Sequence, residues 1–233
     1  VRSRGLGDVY KRQPVEQGVQ VGIADLYNAD KLIIDIKQQL LAEQVTTLMQ
    51  ASPLHDSVGE TLAYLGVTGP VKGDVRLSIG LNEPTVDIKG AIDFERNGVA
   101  LSAPALVGEN LTGRLSFHND ILTADDLQLF ISNIPVQFGF RGEQQQDNYK
   151  VSLLSQGLQN SQELLLSLAP QLEHFAAGPL NWQFKLDLLL AGEGYTYQAD
   201  LALDLTDTEL LLPAPLAKKS GQSGTVFWSS SGS

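Results

Sequence analysis

The sequence predicts a mainly β protein: an elongated, curled and twisted antiparallel sheet that forms an open groove, with two short helical segments. Three observations lead to this prediction. Apolar and polar side chains alternate along most of the chain, which is the pattern of a half-buried strand. Two stretches break the alternation with helical spacing instead. A segment of the first half also matches a segment of the second half without a gap, which predicts an internal repeat of about 109 residues.

Composition narrows the possible functions. The 233 residues are 42% hydrophobic and 18% charged, which is ordinary for a globular protein with a sizeable core. A net charge of -11 argues against a nucleic-acid surface, because phosphate contacts need clustered Lys and Arg. The absence of Cys excludes disulfides but leaves the compartment open. No apolar stretch reaches the ~18–20 residues that span a bilayer, so we expect any membrane anchor to lie outside this sequence.

The first 13 residues, VRSRGLGDVYKRQ, lack any hydrophobic period and are interpreted as a sequencing-adapter artefact or a linker. After them, strand patterns cover roughly 19–23, 32–36, 71–81, 86–94, 111–117, 127–131, 136–140 and 149–153, and a hairpin follows over 182–205. The strand over 86–94 is predicted to end before the Arg-Asn-Gly at 96–98, and a further short strand is predicted around Leu101.

Two stretches predict helices. Over 53–65, the residues Leu54, Val58, Leu62 and Leu65 have helical spacing, and Gly66 follows them. Over 161–175, Asn160 is a candidate N-cap and Pro170 should split or kink the helix. We expect both helical segments to lie at a rim or mouth of the groove.

The repeat sets the predicted organisation. A shift of 109 residues aligns Gly69-Pro70 with Gly178-Pro179 and keeps the apolar positions in phase. Residues 14–218 are therefore predicted to be one repeated β-groove segment, with a first unit over about 14–135 and a second over about 136–218. Residues 219–233 are interpreted as a flexible tail or a truncated next strand.

No constellation for catalysis or metal binding stands out. His55, His118 and His174 have no partner at metal-ligand spacing, and the cluster of Asp120, Asp125 and Asp126 is more typical of a solvated turn than of a calcium site. The sequence therefore predicts a protein that is not an enzyme and that needs no cofactor.

The one-faced strands are the remaining functional signal. A dozen such strands with two helices leave much apolar surface uncovered, and large exposed apolar patches normally bind something. A curled sheet with an apolar inner face predicts a trough for acyl chains, whereas a β-sandwich would use the same residues as its core. The candidate groove residues are Val75, Leu77, Ile79, Ile88, Ile92, Phe94, Leu115, Phe117, Leu129, Phe138, Phe140, Trp182, Phe184, Leu186, Leu188, Tyr197, Leu201 and Leu203.

A family resemblance rests on three segments. They are SPLHDSVGETLAYLGVTGPVKGDVRLSIGLNEPTVDIKGAIDF, then LTGRLSFHNDILTADDLQLFISNIPVQFGF, and YQADLALDLTDTELLLPAPLAK with its L-P-x-P-L-x-K element. In this ordered series the chain resembles the AsmA-like superfamily, most closely its long YhdP-type members of Gram-negative bacteria.

The resemblance implies a periplasmic protein anchored in the inner membrane by an N-terminal helix that this fragment lacks. Its β-groove would carry phospholipid between the inner and outer membranes, in support of outer-membrane lipid homeostasis, with phospholipid as the partner and no nucleic acid. Two alternatives stay open from the residues alone: a fragment of an outer-membrane β-barrel, or a soluble β-sandwich that binds carbohydrate or protein.

Overall fold

A computed structural model describes residues 18–24, 30–52, 54–101, 106–146, 148–191 and 194–233. Eleven strands form one open antiparallel sheet in which sequence neighbours pair in chain order, and a two-stranded ladder forms apart from it. The sheet strands are β1 (Gly18–Ala24), β2 (Lys31–Leu41), β3 (Pro70–Gly80), β4 (Val86–Leu101), β5 (Leu106–His118), β6 (Ile121–Ile131), β7 (Ile134–Gln145), β8 (Asn148–Asn160), β10 (Pro179–Ala191), β11 (Gly194–Asp204) and β13 (Thr225–Gly232); the ladder joins β9 (Ala176–Ala177) to β12 (Glu209–Leu210). The mainly β prediction is confirmed.

The strand register keeps the apolar residues on one face. Leu77 pairs with Ile34 on one side and Ile88 on the other, and Leu188 pairs with Val151 and Tyr197. Because side chains of paired residues point to the same face, this pairing carries one apolar surface from β1 to β13. We call it the inner face.

The opposite, convex face carries charges that pair across strands. Arg76 Nε lies 2.5 Å from Asp35 Oδ1, Lys37 Nζ lies 3.2 Å from Asp74, and His118 Nε2 lies 2.7 Å from Asp87. Such exposed pairs stabilise a fold by only about 0–1 kcal/mol each. Their larger effect is on register, since a one-residue slip would place these charges on the apolar face.

Two helices lie between β2 and β3: α1 (Ala42–Gln50) and α2 (Glu60–Leu65), with a π-helical turn (His55–Gly59) directly before α2. We call residues 42–65 the helical unit; residue 53 of the predicted helix lies outside the described part. The amphipathic spacing over 54–65 is confirmed, because Leu54, Val58 and Leu62 are buried. The sequence prediction missed α1, which buries Ala42, Val45 and Met49.

The helical unit lies inside the curl of the sheet, so its predicted place at a rim is wrong. Thr68, just after α2, pairs with Gly98 on β4, while Tyr64 contacts Tyr195 on β11 with ring centroids 5.2 Å apart. In a flat sheet β4 and β11 would lie six strand spacings apart, about 29 Å. The sheet must curl for one short helix to reach both. The reason for the position is burial, since the apolar side chains of the unit join the sheet core.

Bulges in the middle strands help the sheet to curl. The pairing of β4 with β5 shifts register twice between Glu95 and Val99, and Arg96 takes a positive φ of 65°. The strand predicted to end before Arg-Asn-Gly therefore continues to Leu101, because the bulge absorbs the irregular residues. Buried Asn97 holds this bulge: its Oδ1 accepts from the Glu95 amide, and its Nδ2 donates to the carbonyls of Thr68 and Pro70.

The second helical segment does lie at an end of the sheet. Asn160 Oδ1 caps α3 (Ser161–Leu168) by accepting from the amides of Gln162 and Glu163, and a 3₁₀ helix (Pro170–Phe175) follows, as predicted from Pro170. Ser167 Oγ donates to the carbonyl of Ser132 in the turn between β6 and β7. This contact fixes α3 beside the strand ends.

The two helical insertions join the sheet in the same way. Gly69 and Gly178, which the 109-residue shift aligns, have φ of 96° and 102° and each precedes a strand that starts at Pro. Each glycine carbonyl accepts from the first helical amide of its insertion, Ala42 at 2.8 Å and Ser161 at 3.0 Å. The 109-residue repeat and its unit boundaries remain predictions.

A loop secured by Lys218 joins β11 to β13. The Lys218 ammonium donates to the carbonyls of Thr208 at 2.8 Å, Lys219 at 3.2 Å and Thr206 at 3.3 Å.

Residues 225–232, within the stretch interpreted as a tail or truncated strand, form edge strand β13 against β11. The artefact or linker interpretation of residues 1–13 lies outside the described residues.

We expect Asn97→Ala to lower the free energy of unfolding by about 2–4 kcal/mol, because it removes three hydrogen bonds at a buried site. Denaturant unfolding measures this effect. Asn82→Ala is the matched control, since exposed Asn82 makes one surface bond to Asp30 and should cost less than about 0.5 kcal/mol. Equal losses for both variants would show that Asn97 does not hold the bulge.

Candidate binding trough

All eighteen candidate groove residues lie on the inner face, as the pairing of their strands requires. Their exposure divides them into two groups of equal size: one group is buried, and the other is partly exposed. The helical unit causes this division, because it covers the centre of the inner face and leaves both sides open. Lipid lining by these residues remains a prediction.

The centre of the inner face is closed off from solvent. It packs against Val45, Met49, Leu54, Val58 and Leu62 of the helical unit. We call the fully buried candidates the covered middle, and all of them except Leu186 share one core cluster with the helical unit: Ile92, Phe94, Leu115, Phe117, Leu129, Phe138, Phe140, Leu186 and Leu188. The helical unit of the chain itself therefore occupies the centre of the trough.

The C-terminal flank is the open part of the inner face on β10, β11 and β13. Its residues are Trp182, Phe184, Leu201, Leu203, Val226 and Trp228, which are adjacent through the strand pairing. Trp228 is 48% exposed. Trp182 lies flat over Gly157 of β8, where an added Cβ would come within 2.9 Å of its Nε1. Both tryptophans of the chain lie on this flank.

The N-terminal flank is the open part of the inner face on β1, β2, β3 and the start of β4. Its candidate residues Val75, Leu77, Ile79 and Ile88 are partly exposed. The register adds side chains that the candidate set did not contain: Val19, Val21 and Ile23 on β1, Leu32, Ile34 and Ile36 on β2, and Val86 on β4. Val21 is 61% exposed.

A cleft of about 530 Å³ separates the turn of the helical unit from the nearby strand ends. Leu54 and Glu60 line it on the side of the helical unit, and Ile88, Tyr149 and Leu190 line it on the side of the sheet. The unit therefore does not seal the trough at this end. Beside the cleft, exposed His55 donates a hydrogen bond to the Asp56 carboxylate, and this bond together with the nearby charge of Glu60 raises the pKa of His55 above its usual value.

Two tyrosines mark the boundary between the helical unit and the sheet. Burial, reinforced by Tyr195 and Tyr197, raises the pKa of Tyr64 to about 12. Burial and the nearby Asp120 also raise the pKa of Tyr149, whose hydroxyl donates to the Asp120 carbonyl at 2.6 Å. Both hydroxyls therefore stay neutral at ordinary pH.

His118, His174 and Asp126 lie apart from the trough centre and are exposed, whereas half-buried Asp120 lines the cleft. His118 pairs with Asp87 on the convex face, and His174 lies beside Glu173 in the 3₁₀ helix. Asp126 accepts from the side-chain amides of Gln128 and Gln137. Within the described ranges no three His, Asp or Glu side chains are grouped so that they could hold a metal ion.

Comparison with known proteins assigns the family. The family model described as YhdP protein matches residues 13–231. The chain belongs to the YhdP family. No solved structure matches the chain.

A curated relative supports the YhdP assignment. The chain is 30% identical over 198 residues to the Escherichia coli (strain K12) protein named intermembrane phospholipid transporter YhdP. The aligned region is 84% of this chain and 16% of the relative, so the chain spans only a small part of the relative's length. Among the helices of the described segments, none is long and apolar enough to cross a membrane.

Sequence reasoning missed helix α1 and the apolar contribution of the two edge strands. The signal for α1 was present, since Ala42, Val45 and Met49 recur at intervals of three and four. Val226 and Trp228 also alternate, but their strand lies after a polar loop within the stretch interpreted as a tail or a truncated strand. Only the pairing of β13 with β11 shows that they extend the same face.

The tyrosine pKa values predict an alkaline instability. Tyr64 binds its proton more tightly in the folded state than its ordinary pKa of 10.0 allows in the unfolded state. The unfolded state therefore loses protons first, and the free energy of unfolding should fall as the pH rises from 10 towards 12. We expect denaturant unfolding at several pH values to show this fall, and Tyr64→Phe to reduce its slope. An unchanged slope in Tyr64→Phe would contradict the burial of this hydroxyl.

Proposed function

We propose that this chain is a segment of a periplasmic trough that carries phospholipid between the inner and outer membranes of a Gram-negative bacterium. The name of the Escherichia coli relative, intermembrane phospholipid transporter, supports the substrate class. The observation that carries the proposal is the single apolar face, kept in register across eleven strands and left partly open on both flanks. The proposal gives the chain a carrier role and no catalytic one.

The physical basis is the transfer of acyl chains between two apolar environments. Each methylene that leaves water for the inner face contributes about 0.8 kcal/mol. Acyl chains would lie along the flanks, while the headgroup stays in water beside the polar strand ends. Neighbouring positions on a flank offer similar apolar contacts, so a lipid could move along it without returning its chains to water. Directional transport would need a source of free energy elsewhere.

The membrane attachment belongs to the same proposal. In a carrier of this kind, an N-terminal transmembrane helix outside this chain would anchor the protein in the inner membrane. The segment described here would then extend the trough across the periplasm and serve the lipid homeostasis of the outer membrane. Proteinase accessibility of the full-length protein in spheroplasts tests this placement, because a periplasmic segment is cleaved without lysis of the inner membrane.

A carboxylate placed on either flank should prevent lipid loading. We expect Leu77→Asp and Leu201→Asp to reduce co-purified phospholipid at least tenfold, because acyl chains cannot solvate the charge. Both residues are partly exposed, so the fold should tolerate the change. Lipid extraction and mass spectrometry of the purified chain measure the loading.

Matched controls for these variants lie on the convex face. Thr196→Asp introduces the same charge on the strand of Leu201, and Arg76→Gln changes the residue next to Leu77. Both should load lipid as the unchanged protein does. Equal losses on the two faces, with unchanged melting temperatures, would contradict the assignment of the inner face as the lipid site.

The tryptophans give an independent test, because both lie on the C-terminal flank. Phospholipid with brominated acyl chains should quench the tryptophan emission. The same phospholipid without bromine should shift the emission to shorter wavelength without quenching it. Trp228→Phe should remove most of the effect, since Trp228 is the more exposed of the two. Emission that responds to neither lipid would show that acyl chains do not reach this flank.

A further inference from the structure

The helical unit occupies the part of the trough where its apolar lining is most continuous. The covered middle lies between the two open flanks and consists of the same types of side chain. Acyl chains that move from one flank to the other along the inner face would meet the helical unit. A continuous path therefore requires that the unit leave its place.

The contacts of the helical unit are of a kind that acyl chains can replace. Val45, Met49, Leu54, Val58 and Leu62 supply its buried contacts with the sheet core. The buried hydroxyls of Ser57 and Thr61 donate to the carbonyls of Leu54 and Ser57, within the unit itself. These two bonds would survive if the unit moved as a body.

The attachment of the unit also allows movement as a body. Its two ends are held together by the amide of Ala42, which donates to the carbonyl of Gly69, and by the pairing of Leu41 with Pro70. Gly66 and Gly69, at the C-terminal end, have φ of 50° and 96°. Glycines in this region of conformational space are suited to absorb backbone rotation. The pairing of β2 with β3 need not break.

We propose that the helical unit is an exchangeable occupant of the trough, which acyl chains displace from the covered middle. This inference rests on the proposed function and concerns the regulation of the same site. The unit shields the apolar centre from water when lipid is absent, and its departure joins the two flanks. The cleft of about 530 Å³ beside Leu54 and Glu60 is the place where displacement begins.

The test fixes the unit to the sheet covalently. Tyr64→Cys with Tyr195→Cys places two thiols at a contact whose ring centroids are 5.2 Å apart, in a chain without other cysteines. A short bismaleimide then joins α2 to β11. Lys37→Cys with Asp74→Cys, paired across β2 and β3 on the convex face, is the control linkage. The probe is phosphatidylethanolamine with a photoreactive diazirine on one acyl chain, and peptide mapping locates the label.

Without the linker, we expect label on both flanks and on Phe117 and Phe138 of the covered middle. Cross-linking positions 64 and 195 should reduce label on the covered middle at least tenfold and leave the flanks labelled. The control cross-link between positions 37 and 74 should change neither the label on the covered middle nor the label on the flanks. Label confined to the flanks before linkage, or label on the covered middle that the linkage does not reduce, would overturn the inference but not the proposed function. No label anywhere would overturn both.

Hydrogen exchange gives a second measurement on the unmodified chain, which avoids any effect of the substitutions on folding. Helices as short as α1 and α2 depend on packing for their stability, so they should fray once displaced from the sheet. Phosphatidylethanolamine vesicles should therefore speed exchange of their amides and leave β5 to β7 protected. Exchange in α1 and α2 that stays the same or becomes slower with lipid would contradict displacement.

Discussion

The phase of the strand register is the constraint on which the rest of this structure depends. Each strand presents alternate residues to opposite faces, so one apolar face exists only while every pairing in the eleven-stranded sheet stays in phase. Cross-strand charge pairs such as Arg76 with Asp35 oppose a slip on the convex side. The bulge at 95–99 changes the pairing locally but returns Phe94 and Val99 to the same buried surface. Curvature and the apolar trough follow from this arrangement.

The helical unit resolves a conflict that such a sheet creates. A wide apolar face is suited to acyl chains but is a liability in water when it is empty. The chain covers the centre with its own helices and leaves the flanks partly exposed, where Trp228 and Val21 lie. The helical cover and the proposed lipid surface are therefore parts of the same inner face. The second insertion, α3, shares the glycine junction of the first yet stays at the strand ends with Leu166 55% exposed.

The sequence predicted the strands and their inner face well, because period-two alternation is local and is interrupted only briefly at the bulges of the middle strands. It also predicted the split at Pro170 and the cap at Asn160. It could not predict where the helical unit lies, since the spacing of Leu54, Val58 and Leu62 shows that one side is buried but not against what. The division of the candidate residues into covered and open groups depends on that position. Leu188 and Leu201 have the same pattern in sequence and differ only through long-range contacts.

A photo-cross-linking scan along β3 and β11 tests the central claim most directly. A photoreactive amino acid is placed at each position from 75 to 79 and from 197 to 203 in turn, and covalent capture of phospholipid is measured. We predict capture at the accessible inner-face positions, which are Val75, Leu77 and Ile79 on β3 and Tyr197, Leu201 and Leu203 on β11. Little capture is expected at the convex positions between them or at Ala199, which faces inward but is 0% exposed. Capture at every position, or only at convex positions such as Arg76 and Gln198, would contradict this prediction.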